Sequence, residues 1–170
     1  MIEQVILVDE FDHAVGTMEK MEAHRLGVLH RAFSVVVRNS RGELLLQKRA
    51  VSKYHSGGLW TNTCCSHPSP SASIEDAVRQ RVLFEMGIDV NPVFAFKFIY
   101  RAELDHGLTE HELDYVFTAL FDGEPNANPA EVEDWKFISM DALRKDLSRS
   151  PERYTVWFRD IIDQLIAAGN

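Results

Sequence analysis

Residues 60–68 read Trp-Thr-Asn-Thr-Cys-Cys-Ser-His-Pro and hold both cysteines of the chain. Residues 59–61 form a strand-like entry to this stretch, and a loop rich in proline and serine follows it. His67 comes two residues after Cys65, so a thiol and a candidate metal ligand stand at the end of one element. Side chains at the end of an element can face a cleft rather than the core. We therefore expect residues 60–68 to lie at a functional site.

The composition is that of a folded protein with one core. The chain has 170 residues, of which 45% are hydrophobic and 26% charged, and no repeat, linker or low-complexity tract divides it. Such a length is typical of one domain and is sufficient to bury a sizeable core. We therefore predict a single domain that spans residues 1–170.

Charge and cysteine content limit the partners and the compartment. The net charge of −8 argues against nucleic acid or an anionic membrane as the main partner. No apolar run reaches the ~20 residues of a membrane span, and the first residues lack the features of a signal peptide. Two adjacent cysteines build no disulfide framework, which favours the reducing cytoplasm. A small anionic substrate is compatible with this composition where basic residues cluster locally, and nothing in the sequence sets the oligomeric state.

The hydrophobic pattern predicts strands interrupted by helices. The clearest hairpin joins residues 32–38 to residues 44–46 through a turn at residues 39–42. The clearest helix begins after Ser73, which resembles a capping-box residue, and ends at Gly87, a typical C′ glycine. Further strands are predicted at residues 5–8, 93–100, 112–121 and 135–138, and further helices at residues 141–147 and 154–168, while residues 20–30 are polar with weak periodicity. This order predicts an α+β fold or a mixed-sheet sandwich, not a Rossmann repeat, whose glycine fingerprint is missing.

Glu85 is an anomaly on the predicted helix, because it ends an otherwise apolar stripe. Arg81 lies one turn before it, and a pair with this spacing at the rim of a helix is worth a few tenths of a kcal/mol, roughly. Spacing alone therefore favours a rim ion pair between Arg81 and Glu85.

Two glutamates and three histidines could form a metal site. Side chains alternate between the two faces of a strand, so the carboxylates of Glu110 and Glu112 would point the same way, while Leu113 would point to the other face. A lone pair of this kind is most often a solvated strand face, and a lone histidine is most often structural. Together with three histidines (His24, His30 and His67), however, they would provide up to five protein ligands. Zn²⁺ or Mn²⁺ would suit the imidazoles and Mg²⁺ the carboxylates, although spacing alone does not bring the five together.

Basic residues flank the histidines and cysteines in this acidic chain. The set comprises Lys20, Lys48, Arg49, Lys53, Arg79 and Arg81. Such a cluster could receive a phosphate or diphosphate, with arginine as a bidentate donor, or it could be ordinary solvated charge. Residues 55–58, His-Ser-Gly-Gly, are interpreted as a flexible loop between the first lysines and the Trp60 stretch.

The adjacent cysteines have three interpretations. A disulfide between Cys64 and Cys65 would be strained, and a zinc thiolate pair normally has a Cys-x₂-Cys spacing. The third interpretation is a single reactive thiol whose pKa is lowered below ~8.5 by a nearby cation or metal, giving a thiolate base. The other cysteine would then be a small buried side chain.

Several ordered motifs resemble the type I isopentenyl-diphosphate isomerases. They are Glu19-Lys20, His24, residues 30–34 (His-Arg-Ala-Phe-Ser), residues 47–50 (Gln-Lys-Arg-Ala), Ser52-Lys53, residues 58–68, Glu110-His111-Glu112 and Trp157. The string Trp-Thr-Asn-x-x-Cys-x-His-Pro is highly specific, and the resemblance runs from about Val5 to Trp157. It implies an α/β fold, a Nudix-type mixed-sheet α/β/α sandwich. It also implies the interconversion of isopentenyl and dimethylallyl diphosphate by protonation and deprotonation through a tertiary carbocation-like intermediate.

The resemblance also implies a role for individual residues. The ligands of a divalent metal (Mn²⁺, Mg²⁺ or Zn²⁺) match His24, His30, His67, Glu110 and Glu112. The essential thiol matches Cys65, the opposing acid or base matches Glu112 aided by Tyr100, and the aromatic ring that faces the cationic carbon matches Trp157. Glu85 matches a carboxylate near a second ion, Mg²⁺, on the substrate diphosphate, and the basic residues around that diphosphate match Lys20, Arg49, Lys53 and Arg81. This replaces the rim-pair interpretation of Glu85, and it makes the N-terminal residues 1–30 a candidate lid.

The helix region departs from a Nudix hydrolase box, which reads Gly-x₅-Glu-x₇-Arg-Glu-x₂-Glu-Glu-x-Gly. Counted back from Gly87, the chain has Ser66 for the first glycine and Ala72 for the first glutamate, and only Glu85 and Gly87 match the box. The carboxylates that would hold several Mg²⁺ ions for hydrolysis are therefore missing. The pattern favours an isomerase over a Nudix pyrophosphohydrolase or a non-catalytic metal- or phosphate-binding module, although Ser66 and Ala72 also differ from isomerases that keep the glycine and glutamate.

Overall fold

The computed structural model describes residues 2–169, so Met1 and Asn170 lie outside the described residues. The strands are β1 (Gln4–Val8), β2 (Ala14–Glu19), β3 (His30–Arg38), β4 (Leu44–Arg49), β5 (Trp60–Thr61), β6 (Cys64–Ser66), β7 (Val93–Glu103), β8 (Thr109–Leu120) and β9 (Val132–Ile138). The helices are α1 (Lys20–Leu26), α2 (Ile74–Met86), α3 (Met140–Arg149) and α4 (Val156–Ala167). Within residues 2–169, the strands join in one sheet with both parallel and antiparallel pairs.

Strand β3 lies at the centre of the sheet and sets the position of the site. It pairs in parallel with β8, with His30 opposite Glu112, and antiparallel with β6, with Ser34 opposite Cys65. The predicted hairpin is present, but β3 and β4 pair only near the turn, and β4 then continues against β9 and β5. The strands β3, β6 and β8, which are distant in sequence, therefore lie side by side in the sheet.

The two faces of the sheet are covered by different helices. Val35 and Val37 of β3 pack into a core with the apolar side of α2, whereas Val36 packs into a second core with α3 and α4. This division follows from the alternation of side chains along a strand. The arrangement confirms the predicted mixed-sheet α/β/α sandwich.

The helix α2 forms as its sequence predicts. Ser73 Oγ accepts a hydrogen bond of 3.2 Å from the backbone N–H of Asp76, and Gly87 ends the helix with φ = 65°. Helix α1, in contrast, occupies the segment with weak periodicity. It forms because the Glu19 side chain accepts from the N–H groups of Met21 and Glu22, which satisfies two otherwise unpaired donors. Within residues 2–169, no helix has the length and apolar content needed to cross a bilayer.

Substituting Gly87 with alanine should destabilise the protein strongly. The residue has φ = +65°, and a Cβ there would lie 2.2 Å from the backbone oxygen of Asn126. The left-handed backbone and the clash together should cost about 2–4 kcal/mol in the free energy of unfolding, measured by urea denaturation. Gly42→Ala is the matched control, since Gly42 has φ = +77° but no atom within 4 Å of the added Cβ. Equal losses in the two variants would contradict this account.

Candidate active site

The two glutamates of β8 are buried on the same face of the strand. Glu110 is 3% exposed and Glu112 is 6% exposed, so the interpretation as a solvated strand face is wrong. Asp114, two residues further along β8, continues the row and is also buried. The neighbouring strand β7 places Tyr100 opposite Glu112, and the Tyr100 hydroxyl donates a hydrogen bond of 2.7 Å to Glu112 Oε2. Burial, with the charges of Glu110 and Glu112, raises the pKa of Tyr100 well above its usual value.

Three histidines from separate elements converge on Glu112. Their ring centroids lie 4.9 to 5.4 Å apart, and they are His24 of α1, His30 at the start of β3 and His67 just after β6. The Nε2 atoms of His30 and His67 lie 3.4 and 2.9 Å from Glu112 Oε1, and Nε2 of His24 lies 4.0 Å from it. One ligand atom from each of these four residues can be chosen so that all lie within 4.8 Å of one another.

The hydrogen bonds of two histidines show that the cluster fits a metal. His24 and His30 are fully buried, and their Nδ1 atoms lie 2.7 and 2.8 Å from the backbone oxygens of Lys20 and Val28. Their Nε2 atoms are buried without any hydrogen-bond partner. A metal-binding histidine typically donates its other ring N–H to an oxygen and leaves the free nitrogen to the ion. The cluster is therefore consistent with a divalent metal held by imidazole and carboxylate.

The charges in the cluster shift one another's pKa values. Burial acts to raise the pKa of Glu112, but the neighbouring Glu110 carboxyl and His30 imidazole outweigh it and lower the pKa to about 2. Burial acts to lower the pKa of His24, but the nearby Glu110 carboxylate, 3.7 Å from its Nε2, outweighs burial and raises that pKa. Burial and the charges of His30 and His24 lower the pKa of His67 well below its usual value.

Cys65 lies on β6 and lines the same cavity as Glu110 and Glu112. Its Sγ donates to Asn62 Oδ1 at 3.1 Å and lies 3.5 Å from the Ser34 hydroxyl. Burial, followed by the charge of Asp114, raises the pKa of Cys65 to about 12. In the metal-free protein desolvation therefore outweighs the nearby cations, among them Arg49, and the thiol is protonated at neutral pH. Cys64 is fully buried in the core beside α2, and both cysteines are free thiols.

A cavity of about 50 Å³ collects the predicted catalytic and basic residues. Its walls include Cys65, Tyr100, Trp157, Glu110, Glu112, His67, Lys20, Arg49, Lys53 and Arg81. Two members of the basic set lie elsewhere, since Lys48 pairs with Glu133 at 3.3 Å and Arg79 with Asp89 at 3.0 Å on the surface. The interpretation as ordinary surface charge therefore holds for Lys48 and Arg79.

Three of the four basic residues named in the cavity wall are paired with carboxylates. Lys20 pairs with Glu3, and Glu131 receives both Lys53 and Arg81. An anion that binds here would therefore compete with Glu3 and Glu131 for these cations.

Glu85 lies behind the cavity wall rather than on the rim of its helix. It is 3% exposed and accepts hydrogen bonds of 2.8 Å from Arg81 Nε and from Gln47 Nε2. The ion pair of Arg81 and Glu85 is thus real but its carboxylate is buried, which makes the rim interpretation wrong. Among the described residues, Glu85 belongs neither to the histidine cluster nor to the cavity wall.

Three buried polar residues near the site were missed in the sequence. The Ser34 hydroxyl donates to Asp114 Oδ2 at 2.7 Å, and burial with the charge of Glu112 raises the pKa of Asp114 well above its usual value. His55, within the predicted flexible loop, is 2% exposed and its Nε2 lies 2.8 Å from Glu110 Oε1. The alternation of Glu110, Glu112 and Asp114 along β8 could have indicated Asp114, whereas no local pattern indicated His55.

Comparisons with known proteins identify the family of this chain. A model of the NUDIX domain matches residues 28–158. An isopentenyl-diphosphate Delta-isomerase 2 from Aromatoleum aromaticum is 49% identical over 167 residues, which cover 98% of this chain and 88% of the relative. The isopentenyl-diphosphate Delta-isomerase of Pectobacterium atrosepticum is 47% identical over 156 residues, 92% of this chain and 87% of the relative.

The chain belongs to the isopentenyl-diphosphate Delta-isomerase family, within the Nudix superfamily. A crystal structure from Deinococcus radiodurans matches with a TM-score of 0.80 at 19% identity, covering 95% of this chain and 98% of that one. A MutT NUDIX hydrolase from Burkholderia pseudomallei matches with a TM-score of 0.64 at 20% identity, covering 81% of this chain and 98% of that one. These two structures share the Nudix fold with the family, and at such low identity they bear on the fold alone.

Proposed function

We propose that this member of the family interconverts isopentenyl diphosphate and dimethylallyl diphosphate. The observation that carries the proposal is the cavity in which a thiol, a carboxylate and an indole meet basic side chains, namely Cys65, Glu112, Trp157, Arg49 and Lys53. The relatives' names support the same substrates. Moving a carbon–carbon double bond requires one group that gives a proton to an alkene carbon and another that removes a proton from its neighbour.

Cys65 and Glu112 are proposed as the two proton-transfer groups. They lie on β6 and β8, and both strands pair with β3. The two groups therefore reach the cavity from different strands, as a pair acting on opposite faces of a flat allylic unit requires. Tyr100 donates to Glu112 at 2.7 Å and so holds the carboxylate in position and can pass a proton to it.

Trp157 is proposed to stabilise the positive carbon. It is 3% exposed and lines the cavity, and the guanidinium of Arg49 lies 5.6 Å from its ring. A cation over an indole face is stabilised by about 2 kcal/mol when water is excluded. Exclusion of water also prevents capture of the cation as an alcohol. The indole can therefore stabilise the carbocation at a position where a carboxylate would be alkylated by it.

The proposed metal residues are the three clustered histidines with Glu110 and Glu112. A divalent ion bound there, Mn²⁺, Zn²⁺ or Mg²⁺, would supply positive charge and fixed orientation to the two carboxylates. Lys20, Arg49, Lys53 and Arg81 are proposed to bind the diphosphate, with Glu85 behind Arg81 near the Mg²⁺ that accompanies this group. Binding of the diphosphate would free Lys53 and Arg81 from Glu131.

Removing the divalent ion should lower the melting temperature of the protein. The buried carboxylates and imidazoles lose their common partner, and an ion that binds only the folded state stabilises it. The comparison is between protein treated with a chelator and the same protein supplied with Mn²⁺ or Zn²⁺, measured by calorimetry. A melting temperature that is the same after chelation and after addition of Mn²⁺ or Zn²⁺ would contradict a metal site in this cluster.

Residues 1–30 are proposed to act as a lid. They supply Glu3 and Lys20 to the cavity wall and His24 to the histidine cluster. A cavity of about 50 Å³ is far below the ~300 Å³ of a small ligand pocket, so entry of the substrate requires it to widen. We expect amide hydrogen exchange in residues 2–30 to slow at least several-fold when dimethylallyl diphosphate and Mg²⁺ are added. Unchanged exchange in this segment would refute the lid.

The reaction itself is tested by the fate of the diphosphate. Isopentenyl diphosphate with protein and Mg²⁺ should give dimethylallyl diphosphate with both phosphorus signals intact in a phosphorus NMR spectrum. Release of phosphate or pyrophosphate would instead indicate a Nudix hydrolase, and unchanged substrate would indicate a binding module.

A further inference from the structure

His55 lies beside the histidine cluster and is not one of the five proposed metal residues. It is in the loop between β4 and β5, and it is 2% exposed. Together with His24 and Glu110 it offers ligand atoms that all lie within 4.8 Å of one another. This second group shares His24 with the first, so the two groups adjoin.

The hydrogen bonds of His55 match those of His24 and His30. In each of these rings Nδ1 is engaged by an oxygen, which for His55 is the Ser56 hydroxyl at 3.1 Å. In each of them Nε2 is buried without a hydrogen-bond partner. This pattern leaves the lone pair of Nε2 available to an ion, as in a metal-binding histidine.

The contact between His55 and Glu110 also fits a shared ion. Nε2 of His55 lies 2.8 Å from Glu110 Oε1, yet the two atoms are not aligned as a hydrogen bond. Metal–ligand bonds of 2.0–2.2 Å place neighbouring ligand atoms about 3 Å apart. The separation is therefore that of two ligands on one ion.

The loop is built to hold His55 in place. Ser56 has φ = 53°, an unusual conformation for a residue other than glycine, and a Cβ on Gly57 would lie 2.6 Å from the backbone oxygen of Val51. Arg49 Nη2 donates to the backbone oxygen of His55 at 3.0 Å, and the ring of Trp157 packs edge-on at 5.6 Å. A strained backbone held by such contacts is typical of a ligand-binding loop.

We propose that His55 is a fourth imidazole ligand of the metal centre in this chain, beside Glu110. The proposal rests on the metal site proposed above and extends it to six protein ligands, four nitrogen and two carboxylate. A set rich in imidazole selects Zn²⁺ or a similar transition ion over Mg²⁺. It also couples occupancy of the metal to the loop that packs against Trp157.

The test is NMR of protein with ¹⁵N-labelled histidine, loaded with ¹¹³Cd²⁺. We expect scalar coupling between cadmium and Nε2 of four histidines, with His55 identified by the signal missing in His55→Phe, a variant that keeps an aromatic ring against Trp157. Coupling at His24, His30 and His67 but not at His55 would overturn the inference and leave the metal centre intact. Coupling at no histidine would overturn both.

Affinity for Zn²⁺ alone gives a second readout. His55→Phe and His55→Ala should bind Zn²⁺ at least about 10-fold more weakly than the natural protein in a competition with a chromophoric chelator. His13→Asn is the matched control, because His13 is exposed and pairs only with Asp9 among the described residues. Unchanged Zn²⁺ affinity in both His55 variants would contradict the inference, whether or not isomerisation is affected.

Discussion

Cys65→Ala should lower the rate of isomerisation by about 10²–10⁴-fold, the usual contribution of a positioned proton-transfer group. The thiol lines the cavity and is held by Asn62 Oδ1 at 3.1 Å, so its loss removes one of the two groups that the double-bond shift needs. The loss should appear in kcat, measured by conversion of isopentenyl diphosphate, while the binding of dimethylallyl diphosphate changes little. Metal content and the melting temperature show whether the variant is folded.

Cys64→Ala is the matched control for that substitution. Cys64 is fully buried in the core beside α2, on the other side of the sheet from Trp157. Removing its sulfur should cost about 1 kcal/mol in the free energy of unfolding and leave most of kcat. Equal loss of kcat in both variants would mean that the thiol assigned to proton transfer is the wrong one.

Glu112→Gln should have the second large effect, because this carboxylate serves two purposes in the proposal. It faces the clustered histidines and it lines the cavity opposite Tyr100. We expect kcat to fall by about 10²–10⁴-fold and metal affinity to fall at least about 10-fold. Glu103→Gln on β7 is the control, since Glu103 is exposed. A variant that keeps its metal and its kcat would refute both roles of Glu112.

The same variant should change the acid stability of the metal-free protein. The pKa of Glu112 is lowered from 4.5 to about 2, so its contribution to stability is full above pH 4.5 and is lost as the pH falls through about 2. Glu112→Gln should therefore flatten the pH dependence of the free energy of unfolding within that window. The comparison uses urea denaturation of both proteins after chelation.

Local signals in the sequence predicted local structure well. Ser73 and Gly87 bound α2 because a cap and a left-handed terminus depend on a few neighbouring residues. The parallel pairing of β3 with β8 could not be derived this way, since it joins residues about 80 positions apart through long-range packing. Only the family resemblance indicated that the five predicted metal residues, which are distant in sequence, lie close together.

The sequence did not predict how burial changes individual side chains. The local pattern of Glu110 and Glu112 is that of a solvated face, and their burial depends on distant residues, His24, His55 and His67, that lie against them. His55 was hidden in a loop with two glycines, because a closed turn and a flexible one share the same composition. The desolvation that raises the pKa of Cys65 in the metal-free protein could not be derived from the sequence, since it depends on the whole fold.

The most direct test of the proposed chemistry follows solvent protons into the product. Isopentenyl diphosphate is incubated with the protein and Mg²⁺ in deuterium oxide, and dimethylallyl diphosphate is analysed by deuterium NMR and mass spectrometry. Protonation of the terminal alkene carbon and removal of a proton from carbon 2 predict deuterium in the newly formed methyl group, with Cys65→Ala and Glu112→Gln both losing this incorporation. Formation of dimethylallyl diphosphate without solvent deuterium, or release of phosphate in place of isomerisation, would contradict the account.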